Sequence, residues 1–479
     1  MVNQLLIDGQ WRAGSTDEWM DVVDPRYGKA FAKVSVASPE DIEEAVNAAN
    51  RSFKTWSRTN VFTRSNLLRK ASRILEGKAD EIGRLMSQEH GKPALEAIGE
   101  AKKGAEILRY YAEEGERVYG RVIANDTNDT FSTVIYQPVG PCVAISPWNY
   151  PIELLAWKLG AALVSGCTLV CKLPSETPLS PLLFIKYVIE AGVPEGVVNA
   201  IVGPGSVVGP HLLKNPKVKK IAFTGSTAVG KAVLADCTDS LRKSSMELGG
   251  SLPMLVFKDC DLDQAVRGAV RRSYRNMGQI CIAINRIYVE REIYEEFLEK
   301  FKIETEKLTI GDGLNKDVDL GPMCKKQAVA NTEKHIEDGV SKGARLLTGG
   351  VAPVIPGFEE GYWYKPTILA DVDHTMKIMT EETFGPAVGV MAFDEIEEAI
   401  SLANDCIYGL AAIVYTQNLT TAKACAVELE AGNVAINNVD AGVINAPYGG
   451  WKQSGFGHEH GPEGLYEYLN IKHLRIRTI

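Results

Sequence analysis

The chain has 479 residues, of which 45% are hydrophobic and 24% are charged. This length exceeds what one ordinary hydrophobic core needs, so two or three domains of a globular protein are expected. The 52 basic and 61 acidic residues give a formal net charge of −9. That balance argues against a nucleic-acid-binding protein, which would need a basic face.

The sequence predicts a reduced, cytoplasmic protein that does not enter a membrane. No run of 18 apolar residues is present, and Met1 to Trp11 lack the basic and apolar regions of a secretory signal. The nine cysteines are dispersed and form no CxxC pair, which is typical of an intracellular protein. Cys167 and Cys171 have no His or third Cys near them, so no metal site is expected.

Helices and then strands are predicted in the first 138 residues. Across residues 40–118, apolar residues return at spacings of three and four, which indicates amphipathic helices. Residues 129–138 are rich in β-branched and aromatic side chains and show no helical period. They predict strands that could form a protruding hairpin.

From Cys142 onward, short apolar runs alternate with helical stretches. The predicted strands cover 142–145, 168–171, 197–202 and 220–223, and the helices between and after them cover 152–165, 182–191 and 225–234. Such alternation indicates βαβ units around a parallel sheet, whose ligands bind at the carboxyl ends of the strands. The fold class predicted is therefore α/β.

After Gly250 the alternation restarts and predicts a second α/β unit. Its helices are expected at 261–279, 294–308, 330–342 and 396–404, and its strands at 286–289, 388–393 and 411–415. The chain closes in an alternating strand over 474–479 that has no evident partner in the sequence. An unpaired edge strand invites pairing with another chain.

A phosphate-binding turn is predicted after the strand at 220–223. Small residues at Gly225, Ser226 and Gly230 would let backbone N–H groups approach a phosphate at a helix N-terminus. The run also fits part of a P-loop, but Ala232 replaces the Mg²⁺-binding hydroxyl of that motif, so nucleoside triphosphate chemistry is not expected. A capped turn without a ligand would explain the same residues.

Lys172 and the nearby Ser175 and Glu176 follow another predicted strand. Side chains of these types at the carboxyl end of a strand can hydrogen-bond the ribose of a nucleotide. Solvated surface groups would give the same pattern.

One cysteine, one carboxylate and one amide lie among turn-forming residues. Cys281 follows a Gly-Gln-Ile segment, Glu247 precedes a Gly-Gly pair, and Asn149 lies between two prolines. A thiolate can attack an aldehyde, an amide can hold the resulting oxyanion, and a carboxylate can activate water. Singly they fit a buried thiol, a surface carboxylate and a turn amide. Together they favour covalent aldehyde oxidation.

Along essentially its whole length the chain resembles the aldehyde dehydrogenase superfamily. The matching segments are Ile7-Asp8-Gly9-Gln10-Trp11, Pro147-Trp148-Asn149, Lys172, Phe223-Thr224-Gly225-Ser226, Glu247-Leu248-Gly249-Gly250, Gly278-Gln279-Ile280-Cys281, Glu381-Glu382-Thr383-Phe384-Gly385-Pro386 and Pro447-Tyr448-Gly449-Gly450. The resemblance implies a Rossmann-like cofactor domain, a second α/β catalytic domain and a small β element for assembly into a homodimer or homotetramer. These would cover, respectively, 1–118 with 139–250, 251–464, and 119–138 with 465–479.

The resemblance also implies roles for individual residues. Cys281 would be the nucleophile, Glu247 the general base, Asn149 the oxyanion donor and Lys158 a partner near the acid–base site. Residues expected to contact the aldehyde are Asn149, Trp157, Arg275, Ile280 and Cys281. Residues expected to bind the dinucleotide are Ile145, Ser146, Pro147, Trp148, Lys172, Ser175 or Glu176, Gly225, Ser226, Gly230, Leu248, Gly249, Glu382 and Phe384.

Several positions depart from the family pattern. Ala283 replaces a second cysteine found in some succinic semialdehyde enzymes, so a disulfide switch is not expected. Asn470 occupies the place of a glutamate assigned to a proton relay, which puts the usual proton route in doubt. Arg275 matches a residue that binds a substrate carboxylate, whereas Trp157 replaces the second arginine of that pair, as in enzymes for apolar aldehydes.

The cofactor and reaction type follow from the same comparison. Ser175 stands where NAD-preferring members carry glutamate, so activity with both NAD and NADP is expected. A coenzyme A-acylating enzyme is one alternative, but such enzymes tend to lack a glutamate at the position of Glu247. A catalytically silent binding or structural protein is the other alternative, against which the intact Cys281, Glu247 and Asn149 argue.

Overall fold

The structure is a computed structural model that describes residues 3–314 and 318–477. Its N-terminal part forms two antiparallel hairpins and then the helices predicted for residues 40–118. Ser38 caps the first helix, because its side chain accepts from Asp41 N and the Asp41 carboxylate accepts from Ser38 N. The elements are β1 (Leu5–Ile7), β2 (Gln10–Arg12), β3 (Trp19–Asp24), β4 (Lys29–Ser35), α1 (Pro39–Trp56), α2 (Val61–Gly77), α3 (Ala79–His90) and α4 (Ala94–Gly115).

The middle of the chain holds a hairpin and the first α/β unit. Every strand predicted between 142 and 223 is present within one or two residues of its expected ends. The elements are β5 (Arg121–Ile123), β6 (Thr130–Pro138), β7 (Pro141–Ile145), α5 (Glu153–Ser165), β8 (Thr168–Lys172), α6 (Leu179–Glu190), β9 (Val198–Ile201), α7 (Gly205–Leu213), β10 (Lys220–Thr224), α8 (Thr227–Cys237) and β11 (Lys243–Glu247).

The second α/β unit follows directly. Its elements are β12 (Leu252–Val256), α9 (Leu262–Tyr274), β13 (Ile284–Glu290), α10 (Tyr294–Glu306), α11 (Lys326–Ser341), β14 (Arg345–Thr348), β15 (Thr367–Ala370), α12 (Lys377–Thr380), β16 (Ala387–Phe393), α13 (Ile396–Asn404), β17 (Tyr408–Gly409), β18 (Ala411–Tyr415), α14 (Leu419–Glu428), β19 (Asn433–Ile436), β20 (Trp451–Lys452), β21 (Gly455–Phe456), α15 (Gly461–Tyr466) and β22 (Leu469–Arg477).

Two large sheets organise these elements and confirm the α/β fold. The first has the order β2-β1-β9-β8-β7-β10-β11-β21, in which β7 to β11 run parallel. The second has the order β14-β15-β16-β13-β12-β18-β19. Each sheet lies in its own hydrophobic core, and Leu465, Tyr468 and Leu469 near the C-terminus pack into the first core. The predicted domain boundaries remain a prediction.

The C-terminal strand differs from the isolated strand expected at 474–479. It begins at Leu469 and pairs antiparallel with β6 from Leu469↔Pro138 to Arg477↔Thr130, while residues 478 and 479 lie outside the described part. With β5 it completes a three-stranded sheet of order β22-β6-β5. The prediction of an unpaired strand was therefore wrong, because its partner lies more than 300 residues earlier in the chain.

The helix predicted over 261–279 was also too long, because α9 ends at Tyr274. Asn276 and Met277 both have left-handed backbone conformations, with φ of 51° and 58°, so the chain turns out of the helix before Gly278. Non-glycine residues adopt this conformation infrequently, and helical periodicity gives no sign of it. Within the described residues, no helix is long and apolar enough to cross a membrane.

Candidate active site

A cleft of about 530 Å³ opens where the parallel strands of the first sheet end. Twelve of the residues expected to bind a dinucleotide line it, together with Asn149 and Cys281. Its position at the carboxyl ends of parallel strands agrees with the general rule for α/β sheets. The twelve are Ile145, Ser146, Pro147, Trp148, Lys172, Glu176, Gly225, Ser226, Leu248, Gly249, Glu382 and Phe384.

Cys281 reaches this cleft because two glycines permit close backbone packing. Gly278 has a φ of 68°, and a Cβ placed on it would lie 2.3 Å from the carbonyl oxygen of Gly385. A Cβ on Gly250 would lie 2.3 Å from the carbonyl oxygen of Cys281 itself. The two glycine-containing segments noted in the sequence therefore hold the cysteine against the end of the first sheet.

The Cys281 thiol lies in an environment that disfavours its ionisation. Burial raises its pKa to about 12, and the Glu382 and Glu247 carboxyls add to this increase. The Tyr448 hydroxyl, 3.9 Å from Sγ, opposes it. Because the thiolate is the nucleophilic form, attack on a substrate needs a base or hydrogen-bond donors at this position.

Asn149 is held in place from three sides. Its side-chain nitrogen donates to the Gln279 carbonyl at 3.0 Å, and its own carbonyl accepts from Lys92 Nζ at 2.6 Å and from Asn276 Nδ2 at 3.2 Å. Lys92 forms a fully buried ion pair with Glu100 at 2.7 Å. The amide is therefore preorganised beside the cysteine loop, as an oxyanion donor must be.

Glu247 ends β11 as a buried carboxyl whose two oxygens have no hydrogen-bond partner among the described residues. Burial raises its pKa well above the ordinary value, Glu459 raises it further, and Lys158 lowers it. Since an unpaired buried carboxyl is costly, the position is explained best by a reacting group or a water molecule that it serves.

Lys158 contacts a carboxylate that the sequence did not reveal. Its Nζ donates to Glu459 Oε1 at 2.5 Å, to Thr224 Oγ1 at 2.6 Å and to the Leu154 carbonyl at 3.2 Å. Asn470, where a relay residue was expected, is exposed on β22 opposite Gln137. Glu459, and not Asn470, is therefore the carboxylate or amide residue that pairs with Lys158, and it raises the pKa of Glu247.

Two of the residues expected at the cofactor, Ser175 and Gly230, do not line the cleft. The Ser175 hydroxyl donates to the Gly203 carbonyl at 3.1 Å. Gly230 lies under Leu248, where a Cβ would come within 2.4 Å of Leu248 Cδ2. Glu176 does line the cleft, and its Oε1 lies 3.0 Å from Lys325 Nζ, which approaches from the N-terminus of α11.

The remaining cleft residues are arranged in two groups. At one end, burial lowers the pKa of Lys172. At the other, Glu382 accepts from Gly250 N at 3.1 Å, and burial raises its pKa to about 7. Trp148 and Phe384 form an edge-to-face pair with centroids 5.4 Å apart. Apolar walls with a few buried polar groups at both ends fit an elongated polar ligand.

On the side expected to meet the aldehyde, Arg275 already has a partner. Its Nε donates to Glu96 Oε1 at 3.0 Å, and the Tyr150 hydroxyl donates to the same oxygen at 2.8 Å. Ile280 packs against Tyr150 and Ala283. Trp157 is almost fully buried and does not line the cleft, since it stacks on the ring of His460 with centroids 3.6 Å apart.

Comparison with known proteins gives one consistent assignment. Residues 11–474 match the model described as the aldehyde dehydrogenase family. The chain is 40% identical over 476 residues to the NADP(+) succinate-semialdehyde dehydrogenase of Escherichia coli, covering 99% of this chain and 97% of that protein. It is 39% identical over 476 residues to the glutarate-semialdehyde dehydrogenase of Pseudomonas putida, with the same coverage of both chains.

A solved structure supports the same conclusion. The crystal structure of betaine aldehyde dehydrogenase from Staphylococcus aureus in complex with NAD⁺ superposes with a TM-score of 0.97 at 33% identity. The match covers 100% of this chain and 95% of that one. The chain belongs to the aldehyde dehydrogenase family and is an oxidoreductase.

Proposed function

We propose that the protein oxidises a small, carboxylate-bearing aldehyde to the corresponding acid, with NAD⁺ or NADP⁺ as the oxidant. The observation that carries the proposal is that Cys281 and the fixed Asn149 amide line the cleft, while the unpaired Glu247 carboxyl lies near enough to Cys281 to raise the pKa of its thiol. The relatives from Escherichia coli and Pseudomonas putida are semialdehyde dehydrogenases, which favours a substrate with a carboxylate. The experiment that tests the proposal is a steady-state screen of aldehydes with both dinucleotides.

Cys281 and Asn149 carry out the first half of the reaction, in which the thioester forms. The thiolate adds to the aldehyde carbon, and the Asn149 side-chain N–H with the Cys281 backbone N–H stabilises the oxyanion of the thiohemiacetal. Loss of one such donor typically costs about 2.7–4 kcal/mol of barrier. The nicotinamide group supplies a hydride acceptor when it is bound. Collapse of the oxyanion then leaves a thioester on Cys281.

The second half belongs to Glu247. Its carboxylate takes a proton from water, the oxygen of that water adds to the thioester carbon, and the C–S bond breaks to release the acid. Burial makes Glu247 a stronger base than an exposed glutamate, which suits proton abstraction near neutral pH. Both members of the Lys158–Glu459 pair act on the pKa of Glu247: Glu459 raises it and Lys158 lowers it.

The residues of the cleft fit a dinucleotide. Lys172 and Glu176 line one end and Glu382 and Phe384 the other, and Ser226, which also lines the cleft, is the N-cap residue of α8. A helix N-terminus next to small residues suits a pyrophosphate. Because Ser175 bonds Gly203, we assign to Glu176 the position beside the adenosine ribose.

Lys325 should then decide the acceptance of NADP⁺. An unpaired carboxylate would repel a 2′-phosphate, but Lys325 neutralises Glu176 from 3.0 Å. In Lys325→Gln we expect the dissociation constant for NADP⁺ to rise roughly 10-fold or more, and that for NAD⁺ to change by less than about 3-fold. Titration calorimetry measures both. Glu176→Gln, the matched control, should retain NADP⁺ binding, and equal weakening of both dinucleotides by Lys325→Gln would contradict the assignment.

Arg275 should contribute to recognition of the substrate carboxylate only partly, because Glu96 already neutralises it. In Arg275→Leu we expect the KM for succinic semialdehyde to rise roughly 10-fold or more, and the KM for propanal to stay within about 2-fold. In Glu96→Gln, which frees Arg275, the KM for succinic semialdehyde should fall. Steady-state kinetics with both aldehydes provide the comparison. Equal changes in the KM for succinic semialdehyde and for propanal would show that Arg275 does not bind the substrate carboxylate.

We propose that β5, β6 and β22 form an oligomerisation element in a homodimer or homotetramer. Support comes from apolar side chains exposed on these strands and from the outer edge of β22, which no strand of the described chain covers. The exposed side chains are Val122, Ile123, Phe131, Ile471 and Ile476.

We also propose a cytoplasmic location, supported by nine cysteines that are all present as free thiols.

A further inference from the structure

Tyr448 lies beside Cys281, in a segment whose role the proposed reaction leaves open. Its backbone exchanges two hydrogen bonds with Glu459, each 2.8 Å long. Its ring stacks on His460 with centroids 4.8 Å apart and planes inclined by 19°. His460 in turn stacks on Trp157. The backbone hydrogen bonds and the ring stack together therefore fix the position of the Tyr448 side chain.

This packing aims the phenol hydroxyl at the nucleophile. The Tyr448 oxygen lies 3.9 Å from Cys281 Sγ, and within the described ranges that sulfur is its one hydrogen-bond partner. Tyr448 is nearly buried. A buried phenol usually bonds a backbone carbonyl or a carboxylate, so a hydroxyl that faces only a thiol is best explained by the chemistry of that thiol.

The charges around Cys281 make such a donor useful. Glu382 and Glu247 face the sulfur and disfavour a negative charge on it. Around Tyr448 itself the ionisable neighbours are Cys281, Glu247 and Arg272, and burial keeps the pKa of the phenol well above its ordinary value. The hydroxyl therefore keeps its proton at neutral pH and can donate it to a neighbouring anion.

We propose that the Tyr448 hydroxyl donates a hydrogen bond to the Cys281 thiolate and so stabilises the attacking form of the nucleophile. When the thiol ionises, its proton passes to water, and Tyr448 retains its own proton. When Sγ bonds to the aldehyde carbon, the anionic charge leaves the sulfur and the hydrogen bond weakens. Tyr448 is thus a catalytic residue, and this role rests on the proposed function of Cys281.

The test is the pH dependence of Cys281 alkylation in wild type and in Tyr448→Phe. The full-length protein is treated with iodoacetamide at a series of pH values from 6 to about 11, below the raised pKa of Cys281, and mass spectrometry follows the peptide that contains Cys281. In this range the alkylation rate rises with the thiolate fraction, and loss of one hydrogen bond to the anion should move the rising profile toward higher pH by about one unit. At any fixed pH in the range, alkylation should therefore slow roughly 10-fold. Phenylalanine retains the ring stack, so the Tm should stay unchanged.

Tyr150→Phe is the matched control, because its hydroxyl is also buried near the cysteine loop but donates to Glu96. Its alkylation profile should coincide with that of wild type. An unchanged alkylation profile in Tyr448→Phe, or an equal shift in Tyr150→Phe, would overturn the inference. If the shift appears but wild type oxidises no aldehyde, the hydrogen bond stands and the proposed function fails. If wild type turns over normally and no shift appears, this inference alone fails.

Discussion

Replacement of Cys281 by alanine should lower aldehyde oxidation by roughly 10⁴-fold or more, which in most assays means no detectable turnover. The reason is that alanine removes the atom to which the substrate carbon bonds, and no neighbouring side chain can take its place. Of the other cysteines, Cys324 is buried, and its backbone N–H is bonded to Gln279 Oε1. Steady-state formation of NADPH, followed by its absorbance, measures the loss.

Binding of the dinucleotide should survive the same change, since Cys281 contributes only one small side chain to a cleft lined by more than twenty residues. A dissociation constant within about 3-fold of wild type is expected, corresponding to well under 1 kcal/mol. Cys324→Ala serves as the control for removal of a buried cysteine and should retain turnover. Residual oxidation by Cys281→Ala near the wild-type rate would contradict covalent catalysis.

Glu247→Gln should separate the two halves of the reaction. Thioester formation needs no base at this position, so one equivalent of NADPH per active site should appear in a rapid burst. Hydrolysis should then slow by roughly 10²–10⁴-fold, because glutamine cannot accept a proton from water. Stopped-flow absorbance resolves the burst from the steady state. A variant that turns over at the wild-type rate without a burst would remove Glu247 from the hydrolytic step.

The pH dependence of the steady state tests the same residue. Burial raises the pKa of Glu247, and only its deprotonated form accepts a proton, so hydrolysis in wild type should accelerate as pH rises through that pKa. In Glu247→Gln this rise should disappear from the slow phase. A rise that persists in the variant would place the responsible group elsewhere.

Much of the site could be predicted because the chemistry lies at the ends of parallel strands. Asn149 follows β7, Lys172 ends β8 and Glu247 ends β11. Parallel strands of one sheet present their carboxyl ends at one edge, so βαβ alternation in the sequence was enough to bring Asn149 and Lys172 together. The strand that ends at Glu247 was not among the predicted strands. The glycines beside Cys281 and Glu247 predict turns; in the structure Gly250 also allows close packing, because a Cβ on it would lie 2.3 Å from the Cys281 carbonyl oxygen.

The partners of the charged residues could not be predicted. Lys158 contacts Glu459 across 301 residues, and Arg275 contacts Glu96 across 179 residues. Such pairs depend on how whole elements pack, and no local periodicity or turn residue encodes them. For the same reason the glutamate near the acid–base site was sought at Asn470, eleven residues beyond its position in the structure.

Prediction from local sequence patterns also failed where the backbone departs from regular secondary structure. Met277 continues the apolar spacing of α9, but Met277 and Asn276 lie in the left-handed region. This turn comes four residues before Cys281, which lines the cleft. Departures of this kind from local propensity are common at functional sites.

The most direct measurement is the mass of Glu247→Gln after mixing with succinic semialdehyde and NADP⁺. Slow hydrolysis should let the thioester accumulate, so the intact protein should gain the mass of one succinyl group, and the peptide containing Cys281 should carry it. Hydroxylamine should remove the adduct, as expected for a thioester. An unmodified Cys281 peptide in a sample that has produced one equivalent of NADPH would contradict a covalent intermediate on Cys281.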